Sequence, residues 1–386
     1  MSDSTGSDLA EYLRLLDEVF DADYLALVES AEREGRFPRQ LIEKLGTAGV
    51  FRSKWSSARH IDLPKLVALS ERLGGLGSFS VSVGVTLHDS AIAVLRRFGE
   101  SDYLREIADR AVEGTAIVCL GASEARGGSD LQNAESVAVP TATGYRLRGA
   151  KKFVSLSTVA NFIILVVRVV SDPDADESGE VALFVVEADK VEIGEPYAKL
   201  GAAFLDTAPV EFDLEVPAEA MLARPGTGLA ALSWALGSER LSVAAQVVGA
   251  CDLALGVTVS QLMRRRQFGK TLFEHQALRL RFADLQARLD VLRYALRGLA
   301  ASRTPLSIRT ASGFKVTAVR FGEEVMSECL HVFGGAGYLS GVAPVERWWR
   351  EMKLGRIGGG ADEVLWELVA AGMRPDHVRH DRLVTV

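Results

Sequence analysis

The sequence predicts an α+β chain of three domains: an N-terminal helical domain over residues 1–114, a central β-domain (barrel or sandwich) over 115–222, and a C-terminal four-helix bundle over 223–386. Three observations carry this reading. At 386 residues the chain is long for one hydrophobic core, on the usual scale of about 100–200 residues per domain. Apolar residues recur at three- and four-residue spacing toward both ends, the period of an amphipathic helix. In the middle the period falls to two, in short β-branched runs separated by Gly, Pro and Asp.

The first domain shows its helices in LAEYLRLLDEVF, LIEKLGTAGVF and LPKLVALSERLGGLG. Near Thr115 the texture changes to AIVCLGA, ESVAVP, YRLRGAKKFVSL, NFIILVVRVV, VALFVVEA and VEFDLEVP. In the last of these Val210, Phe212, Leu214 and Val216 alternate with acidic residues, as on a half-exposed strand. DPDADESGE, residues 172–180, reads as a solvated hairpin loop. Helical periodicity resumes after Pro225-Gly226. Leu241 to Met263 carries a single formal charge, Asp252, over a length close to the roughly 20 residues that span a bilayer. Gln246, Ser260 and Gln261 are spread through it, so it reads as a buried bundle helix and no membrane is expected.

Hydrophobic residues at 48% and charged residues at 25% are ordinary globular values, and a net charge of −7 argues against nucleic acid as a partner. Cys119, Cys251 and Cys329 are too few, odd in number and too far apart for a disulfide framework or a metal site. The acidic, polar start MSDSTGSDLAEYLRLL is unlike a secretory signal. The expected compartment is the cytoplasm.

Four stretches carry chemistry. GASEARGGSD (121–130) leaves a strand for a glycine-rich turn, which is either an ordinary turn or a cradle of N–H groups for an anion or an electron-rich ring. RRRQFGK (264–270) is a basic helix end capped by Gly269, or a phosphate site. HVFGGAGYLSG (331–341) repeats the glycine theme; with no second ligand spaced to join it, His331 reads as a structural histidine and no metal is expected. In RIGGGADEVLW (356–366) three glycines precede a helix beginning near Asp362, which means a tight turn or a close approach to something bulky.

In their order and spacing, these stretches together with FPRQLIEKLGTAGVF (37–51), GAKKFVSL (149–156), LGAAFLDTAPVEFDLEVP (200–217) and the run to Leu289 resemble the acyl-CoA dehydrogenase family over nearly the whole chain. The resemblance implies FAD as cofactor, a homotetramer or homodimer, an acyl thioester of CoA or of an acyl-carrier protein as substrate, and an electron-transfer flavoprotein or similar acceptor. It places Leu120, Ala122, Ser123, Gly128, Ser129, Phe153 and Ser155 along the flavin and its pyrophosphate. Arg266, Phe268, Gln276, His331 and Gly335 would reach the adenosine half of an FAD bound mainly by a neighbouring subunit, with Ala361 and Glu363 after the glycine loop. Departures from the family pattern are His331 for Gln, Phe153 for Trp, Ala361 and Glu363 for Thr and Gln, and Ala203 and Leu205 for Arg and Ser.

The glutamate that takes the substrate α-proton in most relatives is here Gly359. A subset resembling the isovaleryl- and long-chain enzymes keeps its glutamate on an earlier helix, in a segment matching GSERLSVAA, where this chain has Glu239. The bland alternative makes Glu239 a first-turn acidic residue behind a Ser238 N-cap. The resemblance makes Glu239 the catalytic base, with Gly359 clearing its space and offering an N–H to the thioester carbonyl. An oxidase or monooxygenase on the same fold, or a non-catalytic relative, remains as the alternative function.

Overall fold

The computed structural model describes residues 3–57, 59–171, 179–302 and 304–384. All but the last two residues of the loop expected over 172–180 lie outside them. The N-terminal part is helical: α1 (Asp3–Val19), α2 (Ala22–Glu34), α3 (Gln40–Thr47), α4 (Leu63–Gly74), α5 (Phe79–Phe98) and α6 (Asp102–Val112). Local chemistry sets the ends. The Asp21, Asp62 and Ser101 side chains accept from the N–H groups of Tyr24, Lys65 and Leu104, and Gly35 closes α2 at φ 70°.

The middle of the chain forms one mixed sheet from β1 (Val118–Gly121), β2 (Val137–Pro140), β3 (Gly144–Ser155), β4 (Phe162–Val169), β5 (Glu180–Glu187), β6 (Glu192–Ile193), β7 (Thr207–Pro217) and β8 (Met221–Ala223). The order is β8-β5-β4-β2-β3-β7-β6, with β1 parallel to β4. The sheet is open and does not close into a barrel. β4, buried along most of its length, sits between β5 on one side and β1 and β2 on the other. His88 fixes the junction with the helices: its Nε2 lies 3.1 Å from the Ala111 carbonyl and its Nδ1 accepts from Val118 N–H at 3.2 Å. Burial holds its pKa down at about 4, so the ring is neutral and both bonds are kept.

The C-terminal part has three long helices, α7 (Gly228–Arg264), α8 (Gln276–Ala301) and α9 (Ile308–Phe333), followed by α10 (Val345–Met352) and α11 (Asp362–Ala370). Thus the fourth bundle helix is short. α7 is long and apolar enough to cross a membrane, but most of it is buried among α4, α5 and α9. Closeness has required glycine there: a Cβ on Gly249 would meet the Glu71 carbonyl at 2.0 Å, and one on Gly74 the Gln246 carbonyl at 1.9 Å. One apolar core runs from the N-terminal helices into the sheet, and a second fills the bundle.

Candidate active site

Glu239 is not at a helix start. α7 begins at Gly228 and runs through Ser238 and Glu239 without a break, so the N-cap reading is replaced by a carboxyl in the middle of a buried helix, 6% exposed. Opposite it lies the turn between α10 and α11. Gly359 and Gly360 have φ of 67° and 112°, conformations that disfavour any side chain. A Cβ on Gly359 would stand 3.1 Å from Glu239 Oε1. Gly359 and Gly360 therefore combine both sequence readings, a tight turn and a close approach, whereas Gly358 shows neither.

Two cations hold this turn. Arg240 Nε donates to the Gly359 carbonyl at 3.0 Å, and Lys315 Nζ, from α9, donates to the Gly360 carbonyl at 2.7 Å. The Gly359 N–H and the Glu239 carboxylate make no hydrogen bond with any group among the described residues. Burial raises the Glu239 pKa, against the opposing charges of Arg240 and Lys315. Burial also lowers Lys315 to about 8, countered by Asp362 and Glu239. An uncommitted carboxylate beside an uncommitted N–H can remove a proton from carbon and hold the negative charge that develops on an adjacent carbonyl oxygen.

A second group of the expected residues gathers at the sheet. Leu120 lies one residue before the end of β1, which leads into the 121–130 loop that Glu124 anchors from inside: its carboxylate pairs with the buried Lys151 ammonium and accepts from the N–H groups of Glu135 and, at 3.1 Å, Ser136. Lys152 N–H donates to the Ser123 carbonyl at 2.8 Å and ties the loop to β3. A Cβ on Gly128 would lie 2.5 Å from Ser123 Oγ, and the N–H groups of Gly128 and Ser129 donate to nothing among the described residues. β3 bulges between Lys151 and Val154, putting Phe153 at φ 58° with its ring 62% exposed and 5.3 Å from that of Tyr197. A bulge re-aims a side chain, and this one holds a non-glycine residue in the sparsely populated left-handed region. Ser155 Oγ lies 3.0 Å from Thr207 Oγ1 beside it. Free N–H groups, hydroxyls and an exposed aromatic in one place fit a flavin ring and its phosphates.

The remaining positions stand apart. α7 ends at Arg264, and Arg266–Gln267 pairs with Lys270–Thr271 in a hairpin. Gly269 is therefore not the helix cap: it and Phe268, at φ 78° and 52°, are the two central residues of the hairpin turn. Arg266 Nη2 donates to the Gly269 carbonyl at 2.8 Å, and Phe268 is 92% exposed. Gln276 opens α8, His331 lies in the last turn of α9, and Gly335 follows it; all are exposed. Ala361 precedes α11 as its N-cap, and Glu363 is an exposed first-turn residue. No hydrogen bond among the described residues joins these positions to the 121–130 loop. Of the two altered residues near 204, Ala203 is exposed, whereas Leu205 is core, packed toward Gly84.

Sequence reasoning missed Arg240, Lys315 and the Glu124–Lys151 pair. The available signal was a charge embedded in an apolar helical run, as in ASGFKVTAV, since lysine is almost never fully buried without a partner.

Residues 119–214 match the family model described as acyl-CoA dehydrogenase, middle domain, and residues 226–374 the one described as acyl-CoA dehydrogenase, C-terminal domain. The chain is 56% identical over 374 residues to the acyl-[acyl-carrier-protein] dehydrogenase MbtN of Mycobacterium bovis, covering 97% of each chain. The butyryl-CoA dehydrogenase of Megasphaera elsdenii superposes with a TM-score of 0.85 at 25% identity, over 94% of this chain and 97% of that one. A glutaryl-CoA dehydrogenase of Mycobacterium smegmatis, solved in complex with FADH2, shares the fold with a TM-score of 0.84 at 19% identity, over 94% of this chain and 93% of that one.

Proposed function

This chain belongs to the acyl-CoA dehydrogenase family, and on that footing we propose that it carries out the FAD-dependent α,β-dehydrogenation of an acyl thioester, with Glu239 as the base. The observation that supports it most is the pairing of Glu239 with Gly359: a buried carboxylate with no hydrogen bond among the described residues, 3.1 Å from where a side chain on Gly359 would begin. FAD, when bound, supplies the two-electron acceptor for the hydride that leaves the β-carbon. Glu239 takes the α-proton, and the thioester gains an α,β double bond. Burial makes the carboxylate a stronger base than a solvated one, which favours this transfer. The Gly359 N–H donates to the thioester carbonyl and holds the enolate-like charge; Arg240 fixes the same residue through its carbonyl.

Leu120, Ala122, Ser123, Gly128, Ser129, Phe153 and Ser155 hold the flavin and pyrophosphate of one FAD. Arg266, Phe268, Gln276, His331 and Gly335 border FAD across a subunit boundary in a cytoplasmic homotetramer, and Ala361 and Glu363, after the glycine loop, are further cofactor-binding positions. The exposure of Arg266, Phe268, Gln276, His331 and Gly335 in the single chain supports this division. The acyl group is carried on an acyl-carrier protein, as the name of the 56% identical relative suggests, and the electrons pass to an electron-transfer flavoprotein.

Anaerobic bleaching of the flavin by matched acyl-carrier-protein and acyl-CoA thioesters tests the reading. Bleaching fastest with the carrier thioester, and at least tenfold slower in Glu239→Gln, is expected. Faster bleaching by acyl-CoA would reverse the carrier assignment, and an unimpaired Glu239→Gln would remove the base.

A further inference from the structure

We propose that Lys315 is a positioning residue for the base: its ammonium secures the Gly359-Gly360 turn and keeps the Glu239 carboxyl ionised. This rests on Glu239 being the base, and it adds a residue to the site from a third element, α9. Lys315 is completely buried. Its Nζ reaches across to the Gly360 carbonyl at 2.7 Å and forms no ion-pair contact with a carboxylate among the described residues. Asp362 Oδ2 is engaged by Arg356 at 2.7 Å, while its buried Oδ1 has no hydrogen bond among the described residues and its charge, like that of Glu239, favours the Lys315 ammonium. A buried ammonium that, among the described residues, donates to a neutral carbonyl and meets the Glu239 and Asp362 carboxylates through charge alone is a costly way to stabilise a fold. It is a useful way to run a proton transfer, because the ammonium favours the ionised base without occupying the oxygen that takes the proton.

The turn needs such a clamp. Gly359 and Gly360 are both in conformations that favour glycine, the residue that loses the most backbone freedom on being fixed. Their consecutive carbonyls are held from two helices, one by Arg240 on α7 and one by Lys315 on α9. The charged groups acting on Glu239 are Arg240 and Lys315; those acting on Lys315 are Asp362, Glu239, Arg240 and Arg356. Although burial lowers Lys315 to about 8, it still carries its charge at neutral pH.

The test uses the flavin-loaded enzyme and two readouts. One is the pH dependence of single-turnover flavin reduction by an acyl thioester. The other, independent of turnover, is the infrared titration of the carboxyl stretch identified by its loss in Glu239→Gln. Lys315→Met is expected to move both the acid limb of the rate and the carboxyl titration to higher pH, with the rate on the limb falling about tenfold for each pH unit of displacement. Lys315→Arg, which keeps charge and donors, is expected to leave both where they are in the wild type. A Lys315→Met enzyme that retains flavin while its limb and carboxyl titration stay at the wild-type pH overturns the proposal. Should Lys315→Met not fold, Lys315→Gln, polar but uncharged, reads the same two quantities with the same outcomes. If Glu239→Gln reduces its flavin within tenfold of wild type, the assignment of the base has failed instead, and the carboxyl titration still decides the role of Lys315.

Discussion

As the proposed base, Glu239 would set the pH range of the reaction, because it must be ionised to accept a proton. Burial places its pKa above the ordinary carboxyl range, so the rate of flavin reduction is expected to climb with pH through that raised value and level off above it. In rapid-mixing measurements Glu239→Gln should lose this limb together with about 10²–10⁴ of the plateau rate. The linkage to folding has the opposite sign: the native state binds the extra proton, so this group's contribution to stability falls as pH rises between the unfolded and the raised native pKa. Gly359→Ala confronts both constraints on the turn. At φ 67° the left-handed backbone costs about 1–2 kcal/mol with a side chain, and the new methyl sits 3.1 Å from the base. A lower melting temperature and slower flavin reduction at unchanged flavin content are expected. Glu239 and Gly359 were legible in the sequence because each departs from the family pattern at a place the other explains. Arg240 and Lys315 were not, since a charge inside an apolar run says nothing about which carbonyl it will meet.

At the scale of elements, periodicity located the helices and strands, whereas their ends needed tertiary information. Ser238 looks like a cap from its neighbours alone, yet α7 passes through it because the apolar run before it is buried too. The bulge at Phe153 left no mark beyond GAKKFVSL, and strand alternation does not distinguish a closed barrel from the open sheet found here. The RRRQFGK hairpin shows the same limit. Its glycine was expected to cap a helix, but Phe268 and Gly269 together turn two short strands. That hairpin holds Phe268 out in solvent at the head of α8, where Arg266 braces the turn. If the hairpin binds FAD across a subunit boundary, Arg266→Ala should lower flavin content and weaken the oligomer together, as absorbance ratio and sedimentation would show. Full flavin content in an unchanged oligomer would leave Arg266 as a hairpin brace alone.

For the whole molecule, the parts are joined by a partly buried polar knot as well as by shared core. Arg347 on α10 pairs with Glu32 on α2 and lies 3.4 Å from Glu351; the Ser78 hydroxyl donates to Glu32 at 2.7 Å, and Phe79 N–H to Glu351 at 3.3 Å. The backbone of Glu351 also packs on Gly201 from the β-domain. Burial, offset by Arg347 and reinforced by Glu32, raises Glu351 to about 7. Its native pKa lies above the unfolded one, so its contribution to stability falls as pH rises from about 4.5 to about 7 and stays low above that. Melting curves across that range should show Glu351→Gln gaining on the wild type as pH rises, and parallel curves would mean that the charge is already satisfied. This joint seats α10, which leads into the glycine turn, against the N-terminal helices, while the turn itself meets Glu239 of α7; the proposed function has both addressing one substrate carbon. The measurement that tests that claim most directly moves the carboxylate from one to the other. Glu239→Gly should nearly abolish single-turnover flavin reduction, and adding Gly359→Glu should restore at least about tenfold of it, as a base delivered from the second backbone to the same α-carbon. A folded, flavin-loaded double variant no faster than Glu239→Gly would contradict the shared site.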